Sequence, residues 1–240
     1  MLHQTLRHPR THWLAGCQTR PAVSARASAA ALLMLLAFTA GAQIPGAPVL
    51  QNAWATPGIV GAVNVAGGSD GTVYAAAGSW TPGSGRFQLS AGGGFRTITD
   101  AGSGGVYGAR VAIPLGGASS SFGFGAFAGI GGGSAGKPKI TFADSVASTT
   151  QIPVGASVGW RHALGANHGV SVYATPSYVF FTGGTKSDGL VRLALGADVG
   201  ITKSIGATLG AEFGGKRPRG FGGPSGSLFG LGLSYALGHR

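Results

Sequence analysis

The sequence predicts an all-β chain that closes into an antiparallel up-and-down transmembrane β-barrel of eight to ten strands, after an N-terminal signal peptide. Three observations predict it. Apolar residues recur at every second position through about ten segments, each near the ~10 residues of a tilted membrane strand. Only 10% of residues are charged, yet no run long enough for an apolar membrane helix appears. Glycine supplies 47 of the 240 residues, which suits a narrow, close-packed interior and does not suit a soluble enzyme.

The clearest segment is Leu190–Thr202. Val191, Leu193, Leu195, Ala197, Val199 and Ile201 form an apolar face, and Arg192, Gly196, Asp198, Gly200 and Thr202 form the other. A period of two marks a strand with unlike environments on its two sides. The pattern repeats at once in Ile205, Ala207, Leu209, Ala211 and Phe213 against Gly206, Thr208, Gly210 and Glu212.

Residues 1–42 read as the signal peptide. Residues 1–28 are basic and acid-free, Ala29–Ala40 is a short apolar core, and Ala40-Gly41-Ala42 supplies small residues for cleavage after Ala42. The core is too short to span a bilayer. Leu14-Ala15-Gly16-Cys17 matches a lipid-attachment box, but Arg7, His8, Arg10 and His12 stand where a hydrophobic segment belongs, so the match reads as chance. With Cys17 as the one cysteine, no disulfide framework exists. Residues 43–56 form a Pro-containing periplasmic lead-in, and the barrel occupies residues 57–240.

The first two segments, about 58–66 and 71–80, are ambiguous in face. The third, about 87–96, sets Phe87, Leu89, Ala91, Gly93 and Phe95 outward and Gln88, Ser90, Gly92, Gly94 and Arg96 inward. The fourth, about 105–115, opposes Tyr107, Ala109, Val111 and Ile113 to Gly108, Arg110 and Ala112. The fifth, about 121–131, opposes Phe122, Phe124, Ala126, Ala128 and Ile130 to Gly123, Gly125, Phe127 and Gly129. The sixth, about 151–162, opposes Ile152, Val154, Ala156, Val158 and Trp160 to Gly155, Ser157, Gly159 and Arg161. The seventh, about 169–182, is apolar on both faces. The last, about 227–237, opposes Phe229, Leu231, Leu233, Tyr235 and Leu237 to Gly230, Gly232, Ser234 and Ala236.

Connections after odd segments run to about 4, 8, 19, 6 and 12 residues and those after even segments to about 6, 6, 6 and 3, which reads as long outer loops alternating with short periplasmic turns. Eight strands starting near residue 87 would keep the same parity; ten is preferred. Lys139-Ile140-Thr141-Phe142 is expected to extend a hairpin above the membrane. Closure follows from solvation. In hydrocarbon every backbone N–H and C=O needs a partner within the protein, so strands survive there only in a sheet without edges.

Inward charge is the most informative side-chain feature. Arg96, Arg110, Arg161, Arg192, Asp198 and Glu212 are expected to pair as an interior network, because isolated charges in a narrow barrel are costly. That network either plugs the interior or lines a small pore. Trp80, Phe87, Phe95, Trp160, Phe180, Phe181 and Tyr235 fall near strand ends, where amphipathic rings form girdles at the membrane interfaces; ordinary packing is the plainer account of them.

No catalytic, cofactor or metal motif stands out. Gly131–Lys137 resembles a phosphate-binding loop, but Pro138 replaces the Ser or Thr that would hold magnesium, and no helix follows. Barrel hydrolases of membranes place His and Ser two apart on one strand face; His168 and Ser171 are three apart. His162 and His168 are too few for a metal site and read as interfacial residues. The formal charge of +11 raises the question of nucleic acid, but basic residues do not cluster on a stripe with aromatics. Their densest group, Lys216-Arg217-Pro218-Arg219, sits in a Gly/Pro stretch.

The terminal segment Leu228–Leu237 is similar to the last strand of bacterial outer-membrane barrels. Gly230, Leu233, Tyr235 and Leu237 match the glycine and alternating apolar and aromatic residues read by the barrel-assembly machinery. The tail Gly238-His239-Arg240 departs from the aromatic ending more usual there. In architecture Thr56–Leu237 resembles the OmpA transmembrane domain, OmpX and OmpW families. The resemblance implies the bacterial outer membrane, with outer-membrane lipid and the export and barrel-assembly machinery as partners. It carries no functional residue and leaves the oligomeric state open. The expected function is a structural or surface-interacting barrel with a small, largely plugged lumen; the alternative is a narrow passive pore for small polar solutes.

Overall fold

The computed structural model describes residues 57–69, 71–98, 102–116, 120–134, 148–165, 168–183, 186–215 and 226–237. The proposed signal peptide, the lead-in, the Lys139–Phe142 hairpin, the Lys216–Arg219 cluster and the tail 238–240 lie outside them, as does Gly131–Lys137 beyond Ser134.

Ten strands follow one another: β1 (Gly58–Gly68), β2 (Gly71–Thr81), β3 (Gln88–Ile98), β4 (Gly102–Pro114), β5 (Phe122–Ser134), β6 (Ser148–Ala163), β7 (Gly169–Gly183), β8 (Lys186–Gly200), β9 (Ile205–Gly214) and β10 (Leu228–Leu237). Each pairs antiparallel with its neighbours in sequence, and β1 pairs with β10 from Ile59–Leu237 to Gly68–Leu228, so no edge remains. The choice between eight and ten strands thus resolves to ten.

The ladders fix the stagger. From Ala62, partners run through Ala77, Gly92, Gly108, Gly131, Gln151 and Phe181 to Asp188 on β8. In the other direction they run through Ser234 and Gly206 to Gly200, also on β8. The two routes meet about 12 residues apart on one strand, the shear of a ten-stranded barrel whose strands tilt by about 40°. Two prolines break the regularity. The β5–β6 ladder skips from Ala128–Val154 to Gly131–Gln151 beside Pro153, and the β6–β7 ladder from Gly155–Ser177 to Val158–Ala174 beside Pro176. Proline has no N–H to give to a ladder.

Alternation sorts side chains into two solvents. Phe95, Tyr107, Val191, Phe229, Leu231 and Leu233 point outward and are 56–72% exposed. The interior is small or polar. The ambiguous β1 and β2 fall in line: Val60, Ala62, Asn64, Ala66, Val73, Ala75, Ser79 and Thr81 are buried inside, while Ile59, Val63, Tyr74 and Trp80 face out. In β7, apolar on both faces, Tyr173, Val179 and Phe181 are the inward set. An apolar exterior of this extent is stable in hydrocarbon and not in water.

The connections correct one expectation. At the end opposite the first and last strand termini, only Ser69 and Asp70 separate β1 from β2, only 99–101 separate β3 from β4, and only 184–185 separate β7 from β8. These are shorter than the turns 82–87 and 115–121 at the other end. Just two connections are long, 135–147 and 215–227. The expected long-short alternation fails because β4, β5, β6 and β8 run past the apolar pattern in Gly, Ser, Thr and charged residues.

Candidate functional site

The candidate site is the barrel interior, built from inward positions of all ten strands. Its side chains form three groups along the barrel.

At the end with the long connections, Arg96 of β3 donates from Nε and Nη2 to the Ser134 carbonyl at 3.2 and 2.9 Å. Gly133 makes this reach possible, since a Cβ there would come within 3.2 Å of the guanidinium carbon. On the far wall Arg192 of β8 pairs through Nε with Glu212 of β9, and its Nη2 donates to the Gly226 carbonyl at 3.2 Å. Both partners are buried. The adjacency follows from register: Ala194, two residues beyond Arg192 on the same face, stands opposite Glu212.

At mid-depth, the Arg110 guanidinium lies 3.9 Å from the centroid of the Phe127 ring. Phe127 in turn lies across Gly155, its register partner, where a Cβ would meet the ring at 2.8 Å. Tyr173 lies across its partner Gly196 in the same way. Glycine opposite an aromatic leaves the ring room to fold against the barrel wall.

Near the other end, Asp198 accepts from Ser171 Oγ at 3.0 Å and from Thr208 Oγ1 at 2.6 Å, its cross-strand partners on β7 and β9. Gln88 Nε2 donates to Thr81 Oγ1 at 3.2 Å, and Ser234 Oγ to the Gly206 carbonyl at 3.2 Å.

Of the six charged residues singled out in the sequence, Arg192 and Glu212 come together. Arg96 and Arg110 sit in separate groups, and Asp198 is held by hydroxyls. Arg161 stands apart, half-buried at the rim, with Nε donating to the Ser120 carbonyl at 3.1 Å. Phe127 and Tyr173 were not among the chosen residues. Their signal was present in the sequence: each is an aromatic among small residues on an inward face. Among the described residues, no group of three or more His, Cys, Asp or Glu side chains gathers as metal ligands.

On the outer surface, Trp80 meets Phe87 edge-on at 5.7 Å, and Trp160 stacks on His162 at 5.7 Å, both at the end carrying the strand termini. Tyr235 faces out at that end too. Phe95 and Phe180 face out at the opposite end, where Phe180 meets Tyr178 at 4.6 Å. Phe181 points inward and is 1% exposed, so it lines the interior and not the outer belt. On β10, Leu233, Tyr235 and Leu237 face out and Gly230 faces in.

A ten-stranded ring without an edge, apolar outside and polar within, defines the class: an integral transmembrane β-barrel. No protein-family model and no curated protein matches the chain. Among solved structures the chain is similar to a bacterial polysaccharide outer membrane secretin, at 10% identity over 70% of this chain and TM-score 0.47. That match spans 57% of the secretin's own length. It is also similar to the beta domain of the Bordetella autotransporter Brka, at 14% identity over 75% of this chain and 98% of that one, TM-score 0.49. A third is a Salmonella typhi outer membrane phospholipase, solved as a dimer with bound calcium, at 9% identity over 86% and 96%, TM-score 0.30.

Proposed function

We propose that this chain is an outer-membrane barrel with a structural or surface-interacting role and a small, largely plugged interior. One observation carries the reading. Among the described residues, eighteen polar or charged side chains are buried, most of them inward-facing, from 0% exposed at Ser171 and Thr175 to 8% at Glu212. A channel wide enough for solutes would leave its lining wet and exposed. The mid-depth layer of Arg110, Phe127 and Tyr173 supplies the bulk that fills the section.

In the same reading residues 1–42 direct export and are removed after Ala42, and residues 43–56 form a periplasmic lead-in. Trp80, Phe87, Phe95, Trp160, Phe180 and Tyr235 act as interfacial girdles, supported by their outward or half-buried positions near strand ends. Gly230, Leu233, Tyr235 and Leu237 form the strand read by the assembly machinery. The charged interior residues hold the packing together. Catalysis has no part in this reading.

The test is electrical. Purified, folded protein in a planar bilayer is expected to give a flat current trace. Discrete conductance steps would reject the plugged interior in favour of the second reading, a narrow passive pore, which draws on the polar inner face of Asn64, Gln88, Arg96 and Gln151.

A further inference from the structure

Of the 6 acidic residues of the chain, 3 lie among the described residues: Asp188, Asp198 and Glu212. Asp198 and Glu212 are buried within the barrel, and Asp188 lies on β8 at the end with the long connections. Among the described residues, the opposite rim, where β1 starts and β10 finishes, carries no exposed carboxylate side chain; Asp198, near that end, is buried inside. It does carry cations: Arg86 between β2 and β3, Lys203 between β8 and β9, and Arg161 near the end of β6. Arg86 and Lys203 are exposed, and Arg161 is half-buried with one N–H engaged by Ser120.

Depth identifies what this rim meets. Trp80 with Phe87, and Trp160 with His162, lie just inside it on the outer wall. Such rings mark the passage from hydrocarbon to headgroups. Arg86 adjoins Phe87, and Arg161 lies between Trp160 and His162, so the cations stand at the level of lipid phosphates. The exposed Arg86 and Lys203, with no exposed carboxylate beside them among the described residues, turn a positive field toward an anionic surface.

We infer that this rim binds the headgroups of anionic phospholipids, which gather around it in preference to zwitterionic ones. The claim concerns the rim and not the interior, so a conducting barrel would leave it standing.

The test is lipid selectivity at the protein boundary. Unaltered full-chain protein is refolded into phosphatidylcholine vesicles containing spin-labelled phosphatidylglycerol or spin-labelled phosphatidylcholine, and the motionally restricted fraction is compared. A several-fold preference for phosphatidylglycerol is expected at low salt. It should fall toward parity in 1 M salt, where the screening length shrinks to about 3 Å. The double variant Arg86→Gln/Lys203→Gln should lose most of it, whereas Lys186→Gln at the other end should keep it. Both rim residues are exposed in connections, and heat-dependent gel migration verifies that each variant is folded. Equal association of the two lipids overturns the inference. So does a preference that survives the double variant, which would place the anion contact elsewhere.

Discussion

Arg110 rests its guanidinium 3.9 Å above the ring of Phe127, in the middle of a membrane barrel. The contact puts a cation on the negative face of an aromatic. In the proposed reading, Arg110, Phe127 and Tyr173 together obstruct the barrel at mid-depth. Truncating Phe127 and Tyr173 together to alanine should open the section. Discrete conductance steps are expected from the folded double variant where the unaltered protein gives none. The reversal potential in a salt gradient should show anion preference, because Arg110 would then face the passage. A folded but silent double variant would place the seal in another layer.

The buried Arg192–Glu212 pair makes a separate prediction. Removing one partner strands a charge in a low-dielectric interior at a cost of about 3–5 kcal/mol, whereas removing both can be nearly neutral. Glu212→Leu should therefore lower unfolding free energy far more than Arg192→Met/Glu212→Leu, measured by denaturant titration in lipid vesicles. Arg192 also holds the Gly226 carbonyl, so the double variant, which alone removes that donor, should loosen the end of the β9–β10 connection, read as faster protease cleavage there. Equal destabilisation by the single and double changes would mean that packing, not charge, dominates this site.

Asp198 is satisfied differently, by two hydroxyl donors on neighbouring strands. Asp198→Ala removes the acceptor for both Ser171 and Thr208, and leaving buried groups without a partner costs about 1–3 kcal/mol each. Asp198→Asn keeps one acceptor oxygen and should cost less. Placing Ala beside Asn in the same vesicle unfolding assay tests the order; a variant pair of equal stability would show that the hydroxyls are satisfied without Asp198.

What was legible in the sequence was whatever the two solvents impose. Lipid outside and a crowded interior force a period of two, so Leu190–Thr202 and Ile205–Phe213 announced both their strands and their faces. Backbone pairing beyond the membrane leaves no such mark. Gly102–Gly104, Ser148–Thr150 and Lys186–Asp188 carry no apolar alternation, so strands that continue through them read as loops, and connection lengths were misjudged. Within the interior, Arg192 and Glu212 could be matched because they lie on adjacent strands. Arg110 over Phe127 also joins adjacent strands, but their meeting depends on a register that spacing alone does not give. Arg161 shares the inward face of Ser157 and Gly159, but it stands two residues before the end of β6, so it meets the rim and not the packed interior.

Register leaves its firmest trace at Gly94, and the last prediction rests there. Gly94 faces inward on β3 opposite Ala75 of β2. A Cβ there would stand 2.7 Å from the Ala75 Cα and closer still to the Tyr74 carbonyl oxygen. Both obstacles are backbone, so no rotamer change relieves them and β2 must move. Gly61, facing outward on β1, has nothing within 4 Å of its would-be Cβ. Overpacking of this kind typically costs about 1–3 kcal/mol, and a substitution into open space stays within about 0.5 kcal/mol. Gly94→Ala should thus fold with a clearly lower denaturation midpoint than Gly61→Ala, although the chemical change is identical. Because the barrel has no edge to absorb a shifted strand, displacement of β2 should also disturb its pairing with β1, read as faster amide exchange at Val63 and Val65. Equal midpoints for the two variants would refute the close approach of β2 and β3 at this point.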